Sequence, residues 1–131
     1  MTRRVIVVDD NISNRILESD LLQVAGFVVF ETETAQQGIE LALREHPDII
    51  VMDVRLPDMR GTEAAKILRQ NEGLYDVPII FVTASVMNAD KREMIGIHNI
   101  GFIGKPINTR TFALQIERYL EFGHQHEETQ K

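Results

Sequence analysis

Residues 49–53 read Ile49-Ile50-Val51-Met52-Asp53, a continuous apolar run that ends in an acid. A run of this length, rich in β-branched side chains, is typical of a strand buried on both faces of a sheet. The pattern recurs in two similar runs and in two weaker ones that are expected nearer the edges of the sheet. These runs are Val5–Val8 and Ile79–Val82, then Phe27–Phe30 and Gly101–Gly104. The sequence therefore predicts five short strands.

Between these runs lie segments whose apolar residues recur at helical spacing. The first three segments contain Ile12, Ile16, Leu17 and Leu21, then Ala35, Ile39, Ala42 and Leu43, then Ala64, Ile67 and Leu68. A looser fourth helix is expected over about residues 90–97, and a fifth passes through Phe112, Ile116, Tyr119 and Leu120. The strict alternation of strands and helices predicts an α/β fold, a doubly wound five-stranded parallel sheet with helices on both faces.

Composition and charge restrict the function before any motif is considered. The 131 residues, 44% of them hydrophobic, suit one domain over residues 1–122, followed by a polar tail over 123–131 that is expected to fray. The two tail histidines, His124 and His126, are too few for a metal site. A net charge of −6 without a basic stripe argues against direct nucleic-acid binding. No apolar run approaches the ~20 residues of a membrane span, and cysteine is absent, so a cytoplasmic protein is expected.

Polar side chains follow four of the predicted strands. Asp9 and Asp10 follow the first strand, Asp53 follows the third, Thr83 the fourth and Lys105 the fifth. The ligand crevice of a parallel α/β sheet lies at the carboxyl ends of its strands, so these groups are expected to converge. Carboxylates ~4 Å apart repel by ~4 kcal/mol at an effective dielectric of ~20, and Mg²⁺ relieves such a conflict. With an amine and a hydroxyl to hold phosphoryl oxygens, the cluster indicates a phosphorylation site.

Each of these residues alone has an ordinary explanation as a helix cap, a strand residue or a surface lysine. Together, and in this order, they fall in four motifs that resemble the receiver domain of bacterial response regulators over nearly the whole chain. The motifs are Val8–Asn11, Met52–Gly61, Val82–Ala84 and Lys105–Pro106. The resemblance implies a CheY-like fold with strand order 2-1-3-4-5. It also implies a signalling switch of a two-component system or phosphorelay, which catalyses only its own phosphorylation and dephosphorylation.

The same resemblance assigns roles at the metal and the phosphoacceptor. Asp53 is expected to accept the phosphoryl group from phosphohistidine. Asp10, Asp53 and the backbone carbonyl of Arg55 are expected to bind Mg²⁺, for which Mn²⁺ is an acceptable substitute, while Asp9 acts through a metal-bound water. Arg55 and Ser85 occupy positions that vary in the family and influence hydrolysis, and the Arg55 side chain is expected to alter the phosphoryl lifetime.

The resemblance also implies a way of transmitting the signal. Thr83 and Lys105 are expected to hold phosphoryl oxygens, and the Lys105–Pro106 peptide bond to be cis. Phe102 takes the place of the switch aromatic, whose rotamer follows Thr83. The expected partners are a histidine kinase or histidine phosphotransfer protein, docked on the first helix, and a downstream protein. The downstream protein is expected on the face of the fourth helix, fifth strand and fifth helix.

Three alternatives stay open at this point. An aspartate-nucleophile, magnesium-dependent phosphatase would need a second Asp two residues after its nucleophile, whereas Asp9 and Asp10 are adjacent and followed by Asn11. A flavin-binding protein of similar topology would need a phosphate-binding loop after the first strand, where these acids would repel a phosphate. The third alternative is a receiver-fold binding module used without phosphorylation. The switch itself would act alone, as a relay or diffusible regulator, or within a larger regulator or hybrid kinase.

Overall fold

A computed structural model describes the backbone of residues 2–84 and 92–129, with side chains as far as residue 121. Its sheet consists of β1 Arg4–Val8, β2 Val28–Thr32, β3 Ile49–Met52, β4 Ile79–Thr83 and β5 Ile100–Gly104. All neighbouring strands are parallel, and their order is β2-β1-β3-β4-β5. The predicted fold class and strand order are therefore confirmed.

Four α-helices have bounds within the described residues: α1 Ile12–Val24, α2 Ala35–Glu45, α3 Gly61–Arg69 and the C-terminal helix Phe112–Thr129. Two of them begin at side-chain caps, since Asn11 Oδ1 accepts from Asn14 N at 2.9 Å and Thr34 Oγ1 accepts from Gln37 N at 3.1 Å. Residues 92–94 are helical and belong to the predicted fourth helix, whose first residues, 90 and 91, lie outside the described ones.

The C-terminal helix continues past residue 122, where the sequence predicts the start of a polar tail. Its backbone is helical through Thr129, so no break in the helix marks that boundary within the described residues. None of the described helices is both long enough and apolar enough to cross a membrane.

Alternating side chains of the central strands supply two cores, one on each face of the sheet. One core contains Ile6, Val8, Ile50, Met52, Ile79 and Phe81 under α2 and α3. The other contains Val5, Val7, Val51, Ile80, Val82 and Ile103 under α1 and the C-terminal helix. Because β1 and β3 are covered on both faces, every apolar residue in them is at most 2% exposed. This burial explains why their sequences show no alternation of apolar and polar residues.

The predicted first helix is present as α1, but it packs mainly polar side chains against the sheet, and three of the four residues of its predicted apolar face are exposed. The exposed fractions are 61% for Ile12, 47% for Ile16 and 39% for Leu17. The buried residues of α1 are Arg15, Glu18, Ser19 and Leu22. Arg15 explains part of the difference, because its Nη1 donates to the Asp9 carbonyl at 2.9 Å and its Nε pairs with Glu31 at 3.3 Å. Specific polar contacts at the end of β1 therefore set the rotation of α1.

The register of the strands brings their carboxyl ends to one level. Val8 at the end of β1 pairs with Met52 at the end of β3, and Thr83 at the end of β4 pairs with Gly104 at the end of β5. The residues that follow β1, β3 and β5 therefore leave the sheet along the same edge. Those residues carry the acids and the lysine of the predicted site.

Gly101 in β5 permits close packing of the C-terminal helix. A Cβ at this position would lie inside van der Waals contact of the Tyr119 ring. The Tyr119 hydroxyl donates to the Phe102 carbonyl at 3.3 Å and accepts from the Phe102 N–H at 3.4 Å, which fixes the ring over the strand.

We expect Gly101→Ala to lower the free energy of unfolding by about 2 kcal/mol, because the extra methyl must displace this ring. Urea denaturation followed by circular dichroism measures the change. Gly104→Ala in the same strand is the matched control, since a Cβ there has no neighbour within 4 Å among the described residues. Equal stability of the two variants would contradict the prediction.

Candidate functional site

Three carboxylates lie together at the carboxyl ends of β1 and β3. One oxygen each from Asp9, Asp10 and Asp53 lies within 4.8 Å of the other two. Asp9 is 1% exposed, Asp53 is half-buried and Asp10 is exposed, so the cluster opens to solvent on one side. Burial raises the pKa of Asp9, although hydrogen bonds from the Asn11 N–H and the Lys105 ammonium oppose the rise. The cluster thus offers several oxygen atoms that can bind a cation and has little positive charge of its own.

Lys105 supplies the one cation that contacts the carboxylates of this cluster among the described residues. Its Nζ donates to Asp53 Oδ2 at 2.8 Å and to Asp9 Oδ2 at 3.1 Å. Burial acts to lower the pKa of Lys105, but the hydrogen bonds and charges of Asp53 and Asp9 outweigh it, and the pKa is raised. The ammonium is therefore charged at neutral pH and holds the two acids together.

Backbone N–H groups fix the remaining oxygens of the same two acids. Asp9 Oδ1 accepts from Asn11 N at 2.9 Å, and Asp53 Oδ1 accepts from Arg55 N at 3.1 Å. An antiparallel bridge between Arg55 and Arg60 closes the loop that follows β3. The Arg55 side chain is exposed, whereas its backbone lies two residues from the Asp53 carboxylate. This loop therefore presents a carboxylate of fixed orientation and a nearby carbonyl.

The ends of β4 and β5 complete the surroundings of the acids. Thr83 is 6% exposed, and its carbonyl accepts from Lys105 N at 2.8 Å. The Lys105–Pro106 peptide bond is cis. Phe102 lies within β5, half-buried, with its ring 6.1 Å from that of Phe81 at an interplanar angle of 31°. Thr83 thus ends β4 and Lys105 directly follows the adjacent strand β5. The ring of Phe102, within β5, lies beside that of Phe81.

Sequence reasoning missed one acid near this site. Glu18 on α1 is 2% exposed. Its pKa is raised to about 8, chiefly by burial and then by the charges of Asp9 and Asp53, while Lys105 acts in the opposite direction. The signal that could have found it is the spacing of Arg15, Glu18, Ser19 and Leu22, which places these residues on one face of a helix. The apolar residues Ile12, Ile16 and Leu17 on the other face indicated instead that this other face is buried.

The donor set at the strand ends fits Mg²⁺. Carboxylates and a backbone carbonyl are hard oxygen ligands, and an exposed Asp10 leaves room for the waters that Mg²⁺ retains. Among the predicted site residues, Asp9, Asp10, Asp53 and Lys105 meet at this edge, with Arg55 and Thr83 beside them. Phe102 lies within β5 with its ring beside that of Phe81, and Ser85 lies outside the described residues. The arrangement can bind a divalent cation and a phosphoryl group side by side.

Comparison with known proteins gives a consistent result. The family model for the response regulator receiver domain matches residues 5–117. The polar-differentiation response regulator DivK of Brucella ovis is 36% identical over 120 residues, which are 92% of this chain and 98% of that protein.

Solved structures with the same architecture include two bacterial receivers. The chemotaxis response regulator CheY4 of Vibrio cholerae aligns with a TM-score of 0.85 and 29% identity over 91% of this chain and 99% of that one. The receiver domain of the sensor histidine kinase PA1611 of Pseudomonas aeruginosa has a magnesium ion in its active site cleft. It aligns with a TM-score of 0.84 and 26% identity over 92% and 99% of the two chains. The chain therefore belongs to the response regulator receiver domain family of two-component signalling.

Proposed function

We propose that this receiver domain is a cytoplasmic switch that accepts a phosphoryl group from phosphohistidine onto Asp53, with Mg²⁺, and thereby changes its affinity for protein partners. The observation that carries the proposal is the shared ammonium of Lys105, within 3.1 Å of both Asp53 and Asp9 inside the three-acid cluster. Such an arrangement holds a carboxylate nucleophile beside a cation that can follow the charge of an arriving phosphoryl group.

The chemistry follows from the positions of these groups. An oxygen of Asp53 forms a bond to phosphorus while the phosphorus–nitrogen bond of the donor breaks, and the electron pair of that bond leaves with the imidazole. Asp10, Asp53 and the Arg55 carbonyl would hold Mg²⁺, which would supply positive charge to the phosphoryl oxygens. Lys105 moves from the carboxylate to a phosphoryl oxygen, and the Thr83 hydroxyl donates to another. The domain catalyses no reaction other than its own phosphorylation and dephosphorylation.

The proposed output passes through β4 and β5. When the Thr83 hydroxyl turns to the phosphoryl group, Phe102 in the adjacent strand changes its packing. The surface formed by the fourth helix, β5 and the C-terminal helix then changes its affinity for a downstream protein. Because Phe102 has no hydroxyl, this signal is carried by packing and not by a tyrosine hydrogen bond.

Intact-mass spectrometry after incubation with acetyl phosphate tests the proposal. We expect one phosphoryl adduct that is base-labile, requires Mg²⁺ and disappears in Asp53→Asn, because the amide is not a competent nucleophile. Asp20→Asn, which changes an exposed acid on α1, is the matched control and keeps the adduct. A chelator should abolish labelling. An adduct that persists in Asp53→Asn would contradict the assignment of the acceptor.

The exposed face of α1 supports docking of the phosphodonor on this helix. Ile12, Ile16 and Leu17 are 61%, 47% and 39% exposed, directly after the acids Asp9 and Asp10. An apolar stripe beside a phosphoacceptor suits a partner helix that carries the phosphohistidine.

We expect Ile16→Asp to slow phosphotransfer from the cognate histidine kinase or phosphotransfer protein at least tenfold, because a charge would be buried at the interface. Labelling by acetyl phosphate, which needs no docking surface, should change less than about twofold. Phosphotransfer assays with the histidine kinases of the source organism, run on the native chain and on Ile16→Asp, measure the effect. Equal transfer to the native chain and to Ile16→Asp would place the docking surface elsewhere.

A further inference from the structure

We propose that Glu18 is a positioning residue for Lys105, accepting a hydrogen bond from its ammonium once Mg²⁺ and a phosphoryl group have engaged Asp9 and Asp53. The inference rests on the proposed phosphorylation of Asp53 and deepens it, since it adds a residue of α1 to the site. It concerns the side chain of Lys105 in the phosphorylated state, and leaves the nucleophile and the metal ligands as assigned.

The first observation is the burial of Glu18 without a hydrogen-bond partner. Glu18 is 2% exposed, and none of the hydrogen bonds among the described residues reaches its carboxyl. The fully enclosed side-chain atoms without a partner are Ser19 Oγ and Thr32 Oγ1, so the Glu18 carboxyl keeps a small contact with solvent. Burying a carboxyl without a partner is costly, and nearly all buried polar groups in folded proteins have one. An apolar residue such as Leu would fill this position of a buried helix face at lower cost. The acid is therefore expected to gain a partner in another state of the domain.

The second observation is what lies beside Glu18. A cavity of about 80 Å³ separates α1 from the segment after β5 and is lined by Asn14, Leu17, Glu18, Lys105, Pro106 and Ile107. The charged groups that act on Glu18 are Asp9, Asp53 and Lys105. The two carboxylates repel a charged Glu18, and Lys105 is the cation among the three. The cavity gives the Lys105 side chain room to move toward Glu18.

The third observation concerns the hydrogen bonds of Lys105 itself. An ammonium has three donors, and two of them are now directed at Asp53 Oδ2 and Asp9 Oδ2. Phosphorylation converts one of these acceptors into an acyl phosphate, and the cation and its water engage the other. Lys105 then donates to a phosphoryl oxygen and needs a second acceptor to keep that orientation. A Glu18 oxygen can accept this bond whether the carboxyl is protonated or not.

Beryllium fluoride, which mimics a phosphoryl group on a carboxylate, allows the test without turnover. The dissociation constant of BeF₃⁻ with Mg²⁺ is measured by ¹⁹F NMR at pH 6.5 for the native chain, Glu18→Gln and Glu18→Leu. We expect Glu18→Leu to bind BeF₃⁻ about tenfold more weakly, the loss of one charge-assisted hydrogen bond. Glu18→Gln, which keeps a carbonyl acceptor, should stay within about threefold of the native chain.

Two further measurements separate positioning from a purely structural role. Thermal unfolding should show Glu18→Leu to be at least as stable as the native chain, because a buried carboxyl is removed. Glu18→Ala, which removes the acceptor without adding bulk, should show the same loss of BeF₃⁻ affinity if Glu18→Leu does not fold. Mg²⁺ alone should bind all variants within about threefold, because the oxygen ligands of the cation are unchanged.

The possible results distinguish this inference from the proposed function. If the native chain binds no BeF₃⁻ in the presence of Mg²⁺, the proposed function fails and the inference fails with it. If the native chain binds BeF₃⁻ and the Leu and Ala variants bind it equally well, only the role of Glu18 is overturned. A loss in Glu18→Gln as large as that in Glu18→Leu would also overturn it, because the amide retains the acceptor.

Discussion

In the presence of a chelator, the free energy of unfolding is expected to fall by roughly 4 kcal/mol between pH 5 and pH 9, and Glu18→Gln to remove most of this fall. The cause is the buried carboxyl of Glu18, whose pKa is raised from 4.5 to about 8. Between these two values the folded chain holds a proton that the unfolded chain has released. Stability therefore decreases as the pH rises through this window, and the decrease levels off above pH 8.

Of the other described groups with shifted pKa values, Asp9 acts in the same direction and the rest act outside this pH window. The raised pKa of Asp9 acts in the same direction and leaves a residual slope in Glu18→Gln. The stabilisation from Lys105, whose pKa is raised above 10.5, is lost only at more alkaline pH. Asp58 and Glu93 have lowered pKa values, so their stabilisation is lost only in acid, below the window.

Urea denaturation at pH 5, 7 and 9 measures this dependence for the native chain and for Glu18→Gln. Asp20→Asn is the control, because it removes an exposed acid from the same helix and should leave the slope unchanged. A native slope that persists undiminished in Glu18→Gln would show that another group holds the proton.

Gly61→Ala is expected to lower the free energy of unfolding by about 3 kcal/mol and phosphorylation of Asp53 by more than tenfold. A Cβ on Gly61 would lie inside van der Waals contact of the Asp53 carbonyl oxygen, and 3.2 Å from both the Phe81 ring and Val54 Cα. The nearest atom belongs to the backbone, so it cannot turn away as a flexible side chain would. Relief of the contact requires a shift of the loop that orients the Asp53 carboxylate.

Both effects of Gly61→Ala can be measured on one preparation, by urea denaturation and by the acetyl phosphate mass assay. Gly104→Ala again serves as the control for stability. Because Gly61 begins α3, where alanine has the higher helix propensity, any loss of stability comes from the contact and not from the helix. Native rates of labelling in Gly61→Ala would mean that the loop can move without displacing the nucleophile.

The fold was predictable because the information that specifies it is local. Runs such as Val5–Val8 and Ile49–Met52 are apolar throughout, which only strands covered on both faces require. Most of the candidate site was predictable for a related reason. The acids and the lysine directly follow strands, and parallel strands in register bring such positions to one edge.

Helix α1 shows where local patterns stop being sufficient. Ile12, Ile16 and Leu17 point to solvent because Arg15 is drawn to the Asp9 carbonyl and to Glu31, partners that lie outside the helix. The same rotation buries Glu18 on a face whose residues are mostly polar, and such a face does not predict burial. The orientation of an amphipathic helix is thus decided by what its polar face can bind, and this information is spread over β1 and β2.

Crystals grown with Mn²⁺ and BeF₃⁻ would test the assignment of Asp53 and its metal most directly, since the anomalous scattering of Mn²⁺ locates the cation. We expect a single manganese peak bound by Asp10, Asp53 and the Arg55 carbonyl, with beryllium bonded to an Asp53 oxygen and Lys105 on a fluoride. A manganese peak away from these acids, or beryllium on a different carboxylate, would contradict phosphorylation of Asp53 as the function of this domain.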